Sequence, residues 1–360
     1  MSAAMVHLRT LLGTASIGAL LAAPATAADG LQLELGGFYR LFGVVGAQDT
    51  DPGEAGAGFR NHGIGRGSEI FFLADTTLPN GISVGVNIQL EGETNPDQID
   101  ESYIFFEGMF GKLILGSEDP APDAMLFGAP IPLPGHGVNS PQQFHVAAGT
   151  NLVGTSLTFV NQSFDSDKIT WFTPRWQGFQ LGASYTPDNT EELGFALRPD
   201  ITPMQVSEVV EFGGNWIGRI DRFDIGVHAG YGHGEREVGG PGLDDREQWG
   251  FGGQLGWRGL VVGASYSYDD LGMSGMERRD WNAGASYRWR AWTFAVAYAH
   301  GEVEMAGTDD TLDHFEVGLR YLLGPGVELA GGIQRVEFDS GLASGRNQAL
   351  LGLIGTQINF

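Results

Sequence analysis

Apolar and polar residues alternate along most of this chain with a period of two residues. In residues 82–91 every even position is isoleucine, valine or leucine, and every odd position is serine, glycine, asparagine, glutamine or glutamate. This alternation is typical of a β-strand with one apolar and one polar face. Nine other segments share it clearly (31–45, 222–232, 247–257, 260–268, 279–289, 292–300, 312–321, 327–338 and 348–360), and six share it weakly (68–77, 101–107, 112–116, 168–174, 179–187 and 208–217). The pattern therefore predicts about sixteen strands, many of them of the length that a tilted membrane strand needs.

The predicted connections alternate strictly between short and long. Seven are tight turns, at residues 78–81, 108–111, 175–178, 218–221, 258–259, 290–291 and 322–326. Eight are long, at residues 46–67, 92–100, 117–167, 188–207, 233–246, 269–278, 301–311 and 339–347. Outer-membrane barrels have short periplasmic turns, longer extracellular loops and an even number of strands. We therefore expect an all-β fold, a transmembrane antiparallel β-barrel of about 16 strands, with both termini at the end that carries the turns.

Tryptophan is spaced regularly on one face of these strands. Trp249 and Trp257 lie eight residues apart, Trp281 and Trp289 repeat the spacing, and Trp292 begins the next strand. Eight residues at roughly 3.3 Å each, tilted by roughly 40°, rise about 20 Å, close to the apolar band of roughly 25 Å between the aromatic girdles of such barrels. We expect these five tryptophans to form the girdle. The alternative is an ordinary aromatic core.

The opposite face of the same strands is small and polar. Gln254, Ser265, Asn282 and Glu316 are examples. A packed core would need branched apolar residues at these positions, whereas a water-filled lumen needs small or polar ones. Because sixteen strands are enough to enclose an aqueous channel, this face predicts a water-filled lumen.

The longest connection, residues 117–167, lies between the fifth and sixth predicted strands. It contains six prolines and keeps neither a helical period nor a sustained alternation. A structureless connection of this length is rare in a compact domain, and it is usually functional or disordered. Apolar residues such as Met125, Phe127 and Leu133 argue against disorder. We expect an ordered loop that lies against the inner wall.

The first 27 residues have the features of a secretory signal peptide. Arg9 precedes an apolar run at 11–23, and the small residues Ala25 and Ala27 suit cleavage before Ala28. The alternative is an N-terminal membrane helix, but the run is short and broken by glycine. We expect a signal peptide at 1–27 and a single barrel domain at 28–360.

The chain is acidic. It has 360 residues with 20 Lys and Arg against 44 Asp and Glu; loss of residues 1–27 would remove one arginine, giving 19 − 44 = −25. Since binding to phosphates needs clustered basic residues, this charge excludes a general role in nucleic-acid binding. Cysteine is absent from the sequence, which excludes a disulfide framework.

Much of the acid lies in the predicted long loops: Asp49, Asp51, Glu54, Asp188, Glu191, Glu192, Asp244, Asp245, Asp269, Asp270, Asp309 and Asp310. From this charge we expect a channel that prefers cations. The loop clusters would bind Ca²⁺ weakly, or bridge lipopolysaccharide phosphates through divalent ions, or remain a hydrated repulsive surface. No EF-hand pattern occurs among them, and we expect no dedicated metal centre and no other cofactor.

Short motifs in this chain resemble those of the general porins of Gram-negative outer membranes. They are GFYRLFG at 37–43, SEIFF at 68–72, LPNG at 78–81, QLE at 89–91, ESYIFFEG at 101–108 and FGKLILG at 110–116. The last residues, 354–360, end in Phe360 and resemble the signal by which barrels are passed to their assembly machinery. The resemblance covers essentially the whole mature chain. It implies a homotrimer of sixteen-stranded channels in contact with outer-membrane lipid and lipopolysaccharide, with periplasmic termini and a third loop folded inward.

The resemblance also implies a constriction at which loop carboxylates face basic residues across the pore and create a transverse field. The matching loop carboxylates are Glu118, Asp119 and Asp123. The candidate basic wall consists of Arg40, Arg288 and Arg320, with Arg335 added if a β-bulge shifts its register. The sequence departs from the family at the loop tip, where the proline-rich segment 129–137 replaces an acidic-aromatic-glycine turn. For each of these residues, an ordinary solvated side chain remains the alternative.

These patterns together predict an outer-membrane porin that lets small hydrophilic solutes and ions diffuse passively. One alternative is a selective channel of the same architecture for sugars, phosphate or dicarboxylates. The other is a barrel enzyme or adhesin with a plugged lumen. Enzymatic activity is not expected, because His136, Ser140 and His145 in the long loop are accompanied by no nucleophile elbow or oxyanion donor.

Overall fold

The computed structural model describes residues 30–93, 98–139, 146–155, 157–190, 197, 199, 201–305 and 307–360, so the expected signal peptide lies outside the described residues. The strands are β1 Gln32–Gln48, β2 His62–Thr77, β3 Ser83–Glu91, β4 Ile99–Gly108, β5 Gly111–Ser117, β6 Asp167–Phe172, β7 Phe179–Thr186, β8 Val206–Ile220, β9 Phe223–Arg236, β10 Arg246–Trp257, β11 Leu260–Asp269, β12 Glu277–Trp289, β13 Trp292–Met305, β14 Thr308–Gly324, β15 Val327–Asp339 and β16 Asn347–Asn359. The connections contain a short helix, α1 (Ala121–Ala124), and a 3-10 turn at Ala343–Gly345.

The sheet closes on itself. Each strand pairs antiparallel with its neighbours in sequence, and β1 also pairs with β16, with Phe38 opposite Asn359 and Gln48 opposite Ala349. A closed barrel leaves no strand edge unpaired, which is the condition for a sheet to cross a bilayer. The expected sixteen-stranded antiparallel barrel is confirmed. No helix among the described residues is long and apolar enough to span a membrane.

The two faces of the wall differ as the alternation predicts. Phe251, Val262 and Phe294 point outward and are 54%, 38% and 48% exposed. Gln254 and Ser265 point inward and are only 7% and 5% exposed, because residues of the long connection after β5 cover them. The outer surface is therefore apolar and the inner surface polar.

The strands extend farther into the predicted loops than the apolar pattern indicates. β2 begins at His62, β13 continues to Met305, and β14 begins at Thr308. The prediction of a long loop at 301–311 is therefore wrong, because only residues 306 and 307 separate β13 from β14. Backbone pairing continues here, as between Glu302 and Thr311, although the outward face has become polar and the apolar residues Val303 and Leu312 lie on the inward face.

The five tryptophans predicted for the girdle all lie on the outward face. Trp249 contacts Tyr268, with ring centroids 5.5 Å apart, in the half of the barrel nearer the loops. Trp292 contacts Tyr321 at 4.5 Å and pairs with Trp289 beside the short turns. The exposed fractions of Trp249, Trp257, Trp281 and Trp289 are 39%, 36%, 39% and 51%. Their role in a membrane girdle stays a prediction.

Candidate functional site: the channel and its inward loop

The connection between β5 and β6, residues 118–166, folds into the barrel and is here named the inward loop. Its outgoing arm follows the inner wall from β7 to β12. Three of its backbone amides donate to wall side chains: Ala121 to Ser184 Oγ at 2.9 Å, Phe127 to His228 Nδ1 at 3.0 Å, and Ala129 to Asn282 Oδ1 at 2.8 Å. Side chains of the wall thus accept hydrogen bonds from backbone amides that have no partner within the proline-rich segment itself.

The tip of the loop continues along the wall to β15 and β1. Gln334 Nε2 donates to the carbonyl oxygen of His136 at 2.8 Å, and the ring centroids of His136 and Phe42 lie 4.4 Å apart. The guanidinium of Arg40 lies so close to Gly135 that a Cβ there would overlap it. In its described residues, the long connection is therefore the ordered inner layer that its apolar residues predicted.

Glycines of the wall make room for this layer. An ideal Cβ on Gly318 would lie 2.7 Å from the carbonyl oxygen of Pro132, and one on Gly213 would lie 2.7 Å from Cα of Pro122. Larger residues at these positions would force the loop off the wall. The sequence signal for this close approach was a pair of glycines at inward positions on neighbouring strands, as Gly318 pairs with Gly332.

The return arm, residues 146–166, is fixed in the same way. Thr158 Oγ1 lies 2.5 Å from Ser265 Oγ, and the amide of Asn161 donates to Gln248 Oε1 at 3.0 Å. An apolar cluster fills the space between the loop and the wall on the side of β13 to β16 and β1: Phe42, Leu133, Val146, Val153, Val303, Leu312, Ala330, Val336, Phe338, Ala349, Leu351 and Leu353. The loop therefore has its own packed core against the barrel, which makes it a fixed narrowing of the channel.

The three carboxylates predicted for the constriction lie at the root of the loop, away from the predicted arginines. Asn161 Nδ2 donates to Asp119 Oδ1 at 2.8 Å and to Asp123 Oδ2 at 2.7 Å. The Lys168 ammonium donates to the carbonyl oxygen of Glu118. These contacts join the beginning of the loop to its end. Sequence reasoning missed Asn161 and Lys168, which give no motif of their own.

Burial sets the protonation of these carboxyl groups. It raises the pKa of Glu118 to about 7, with nearby Lys112 acting in the opposite direction. It also raises the pKa of Asp119 and, more strongly, that of Asp123, which interacts unfavourably with Asp119. Desolvation disfavours the charged form of a carboxyl group, so these side chains contribute less charge to the channel than their number in the sequence indicates.

Three of the predicted arginines have the inward direction that their parity indicates. Arg40 lies on β1 and interacts electrostatically with Glu69 on the neighbouring strand. Arg320 on β14 has its Nη1 3.8 Å from Glu328 Oε2. Arg288 and Arg320 both pair with Thr293, so they lie at the same level near the turns, on the two strands that flank β13.

Arg335 does not belong to the basic wall, because the β-bulge that would turn it inward is absent from its part of β15. The register of β14 with β15 is continuous around it and pairs it with Phe315, whose side chain is 42% exposed on the outward face. The only irregularity in this strand pair lies at Leu322 and Gly324, on the turn side. Without a bulge near Arg335 its side chain stays outside, where it forms an ion pair with Glu337 at 3.0 Å.

The comparison with known families agrees with this architecture. A family described as Gram-negative porin matches residues 13–341. This chain belongs to the Gram-negative porin family. The porin therefore lies in the outer membrane and forms a channel, and its family and fold point to a channel rather than an enzyme.

Individual relatives of this porin are distant. A Halomonas protein named monosaccharide porin is 27% identical over 282 residues, which is 73% of this chain and 70% of the relative. The anion-selective porin from Comamonas acidovorans has a TM-score of 0.63 at 17% identity, covering 92% of this chain and 100% of the other. OmpT of Vibrio cholerae, in a trimer form, has a TM-score of 0.64 at 11% identity with the same coverage. The two structures support the fold alone.

Beyond the tip of the inward loop, the channel of the porin is bounded by Arg40 and Phe38 of β1 and by the inner faces of β2 to β5. Arg40 Cζ lies 4.3 Å from the ring centroid of Phe38, and Lys112 Nζ lies 4.9 Å from that of Phe105. The rings of Phe38 and Phe71 are 6.3 Å apart. The sequence could not assign these aromatics to the lumen, because Phe71 and Phe105 each adjoin a second phenylalanine that points the other way.

The loop presents a different surface to the channel. Between Pro120 and Pro134, the side chains that stay partly or fully exposed are Ala124, Leu126 and Ile131, all of them apolar. The narrow part of the channel therefore lies between an apolar loop surface and a wall that carries charges and aromatic rings.

Carboxylates of the porin come close enough to share a cation in two groups of three among the described residues. One is Glu69, Glu91 and Asp100, and the other is Glu101, Asp119 and Asp165; within each group the ligand atoms lie within 4.8 Å of one another. Neither group contains the loop acids for which the sequence suggested weak Ca²⁺ binding. Glu191 and Glu192 lie outside the described residues.

Proposed function

We propose that this porin is a permanently open channel through which small hydrophilic solutes and ions diffuse passively. The observation that carries the proposal is the fixation of the inward loop along the wall, because a loop held by side chains from β7 to β15 narrows the lumen and stays in place. Water remains on the other side, against the charged wall formed by β2 to β5 and by Arg40 of β1. Size exclusion then follows from the gap between the loop and this wall.

A preference for cations is the second part of the proposal. It rests on the −24 formal charge of the chain and on the position of Glu69, Glu91 and Asp100, which come together on the open side of the lumen near Arg40. Carboxylates that line a pore favour cations through their local field. The anion-selective neighbour from Comamonas shares the fold, and fold alone does not set ion preference.

Single-channel recording of the purified porin in planar bilayers tests both parts. We expect large ohmic steps and, in a salt gradient, a reversal potential of the sign that cation flow produces. Silent membranes would contradict the open channel. A reversal potential of the opposite sign would contradict only the cation preference.

A sugar-selective channel is the second candidate, and a specific observation favours it. Arg40 lies over Phe38 and Lys112 lies over Phe105, so cations and aromatic rings occur together on the part of the wall that the loop leaves uncovered. Aromatic faces beside polar groups suit the mixed apolar and hydroxylated surfaces of a monosaccharide, and one relative bears the name monosaccharide porin. Saturation of solute flux by a monosaccharide in liposome assays, with competition between sugars, would support this candidate over simple diffusion.

Assembly as a homotrimer is also part of the proposal. All eight tryptophans lie between Trp171 and Trp292, that is, on β6 to β13 or in the turns between them. The outward face of β1 carries aliphatic residues, with Leu33 and Leu35 70% and 63% exposed. Tryptophan prefers the interface between membrane and water, so strands that lack it, such as β1, are suited to contact another subunit. Lipopolysaccharide around the remaining face, periplasmic termini, and recognition of Phe360 by the barrel-assembly machinery complete this picture.

A further inference from the structure

Three carboxylates meet where the inward loop leaves and rejoins the barrel. Glu101 lies on β4, Asp119 at the beginning of the loop and Asp165 near its end, and one oxygen from each comes within 4.8 Å of the others. The Ser117 hydroxyl donates to the Asp165 carbonyl oxygen beside them. Residues from three separate segments of the chain are thus brought to one point, although like charges repel.

Two buried oxygen atoms beside this group lack a hydrogen-bond partner. They are Glu118 Oε2 and Gln89 Oε1. Gln89 is 3% exposed and donates its amide to the Glu101 carboxylate, so its carboxamide lies at the edge of the group. Glu118 is partly exposed as a residue although its Oε2 atom is buried; it directly precedes Asp119 and acts electrostatically on Glu101. Buried acceptors normally have a partner, and a cation supplies one to each.

The acidic and basic groups that surround this site are unequal in number. Six carboxyl groups lie here: Asp100, Glu101, Glu118, Asp119, Asp123 and Asp165. Two ammonium groups oppose them. The Lys168 ammonium donates to the backbone carbonyl oxygens of Glu118 and Phe164, and the Lys112 ammonium lies over the ring of Phe105. Acidic groups therefore outnumber basic ones by four.

We propose that Glu101, Asp119 and Asp165 bind a divalent cation of the calcium type at the root of the inward loop. All the donors are oxygens, and neither histidine nor cysteine belongs to the group, which favours a hard cation over a transition metal. Calcium accepts six to eight oxygens at about 2.3–2.6 Å in irregular geometry, which three carboxylates and the two unpaired oxygens could partly supply. Such an ion ties β4 to both ends of the loop.

The test uses the full porin, folded in detergent and stripped with a chelator, and titrates it with Ca²⁺ by calorimetry. We expect saturable binding of one ion per chain. Asp165→Asn removes one ligand charge with little change in shape and should weaken binding at least tenfold. Asp51→Asn, in an exposed loop, and Glu69→Gln, in the other acidic group, are matched controls that should bind as the unmodified chain does.

A second measurement keeps the test independent of folding defects in the variants. Terbium replaces calcium at oxygen sites, and Tyr103 forms a hydrogen bond to Glu118 next to the group. Tyr103→Phe retains every proposed ligand, so it should bind the ion normally but lose part of the tyrosine-sensitised terbium emission. Absence of binding by the unmodified chain, equal binding by Asp165→Asn, or loss of binding in Glu69→Gln would each overturn the proposal.

Discussion

Gly37 and Phe360 exchange two backbone hydrogen bonds, each 3.0 Å long, at the seam where the first strand meets the last. The contact continues the ladder between β1 and β16 by one residue beyond β16. An ideal Cβ on Gly37 would overlap the carbonyl oxygen of Glu69 and lie 3.1 Å from the ring of Phe360. The C-terminal aromatic residue therefore closes the barrel over a position that only glycine can occupy.

Gly37→Ala should destabilise this seam. The added methyl group pushes β1 away from β2 or from Phe360, and overpacking of this kind typically costs about 1–3 kcal/mol. Gly43→Ala is the matched control on the same strand, because the nearest atom to its Cβ would be 3.8 Å away. Urea unfolding followed by tryptophan fluorescence compares the two. Equal midpoints for both variants would show that the close approach at Gly37 is unimportant.

Gln334→Leu should loosen the tip of the inward loop. The substitution removes the donor to the His136 carbonyl oxygen, and an unpaired buried acceptor costs about 1–3 kcal/mol. Because the lost contact fixes the loop tip, we expect altered conductance with more current noise, together with a lower unfolding midpoint. Gln348→Leu, exposed on the neighbouring strand, is the control. Quiet, unchanged channels in Gln334→Leu would mean that other contacts alone hold the tip.

The barrel could be predicted because each strand has two unlike environments. Apolar and polar residues alternate accordingly along each strand, and the prediction held wherever the outward face was apolar. It failed at 301–311, where the outward residues such as Glu302 are polar and the apolar residue Val303 lies on the inward face, yet the strands still pair. Backbone hydrogen bonds continue without an apolar outward face, so the sequence pattern marks the apolar outer band rather than the end of the strand.

The course of the inward loop could not be predicted in the same way. Ala129 contacts Asn282, and His136 contacts Gln334, across more than a hundred residues of sequence. Neither contact involves a charged pair or a motif, so the sequence offers no signal for it. The carboxylates were assigned by resemblance to a place across the pore, and in this chain Asn161 binds two of them at the root instead.

Arg40→Gln should increase the preference for cations, whereas Arg335→Gln should leave it unchanged. Arg40 contributes positive charge inside the lumen beside Glu69, and Arg335 lies outside the barrel beside Glu337. Reversal potentials in a salt gradient measure the difference, and conductance at high salt checks that both variants form intact channels. An effect of Arg335→Gln equal to that of Arg40→Gln would contradict the register of β15.

Cysteine labelling should locate the subunit interface. The chain has no cysteine, so single substitutions give an unambiguous signal. Leu41 on β1 and Phe294 on β13 both point outward and are 37% and 48% exposed in a single chain. If the tryptophan-free strands form the trimer contact, Leu41→Cys will resist a lipid-soluble maleimide in the native assembly and react after dissociation, whereas Phe294→Cys will react in both states. Equal reactivity of both cysteines in the native assembly would place the interface elsewhere, because lipid would then reach β1 as freely as β13.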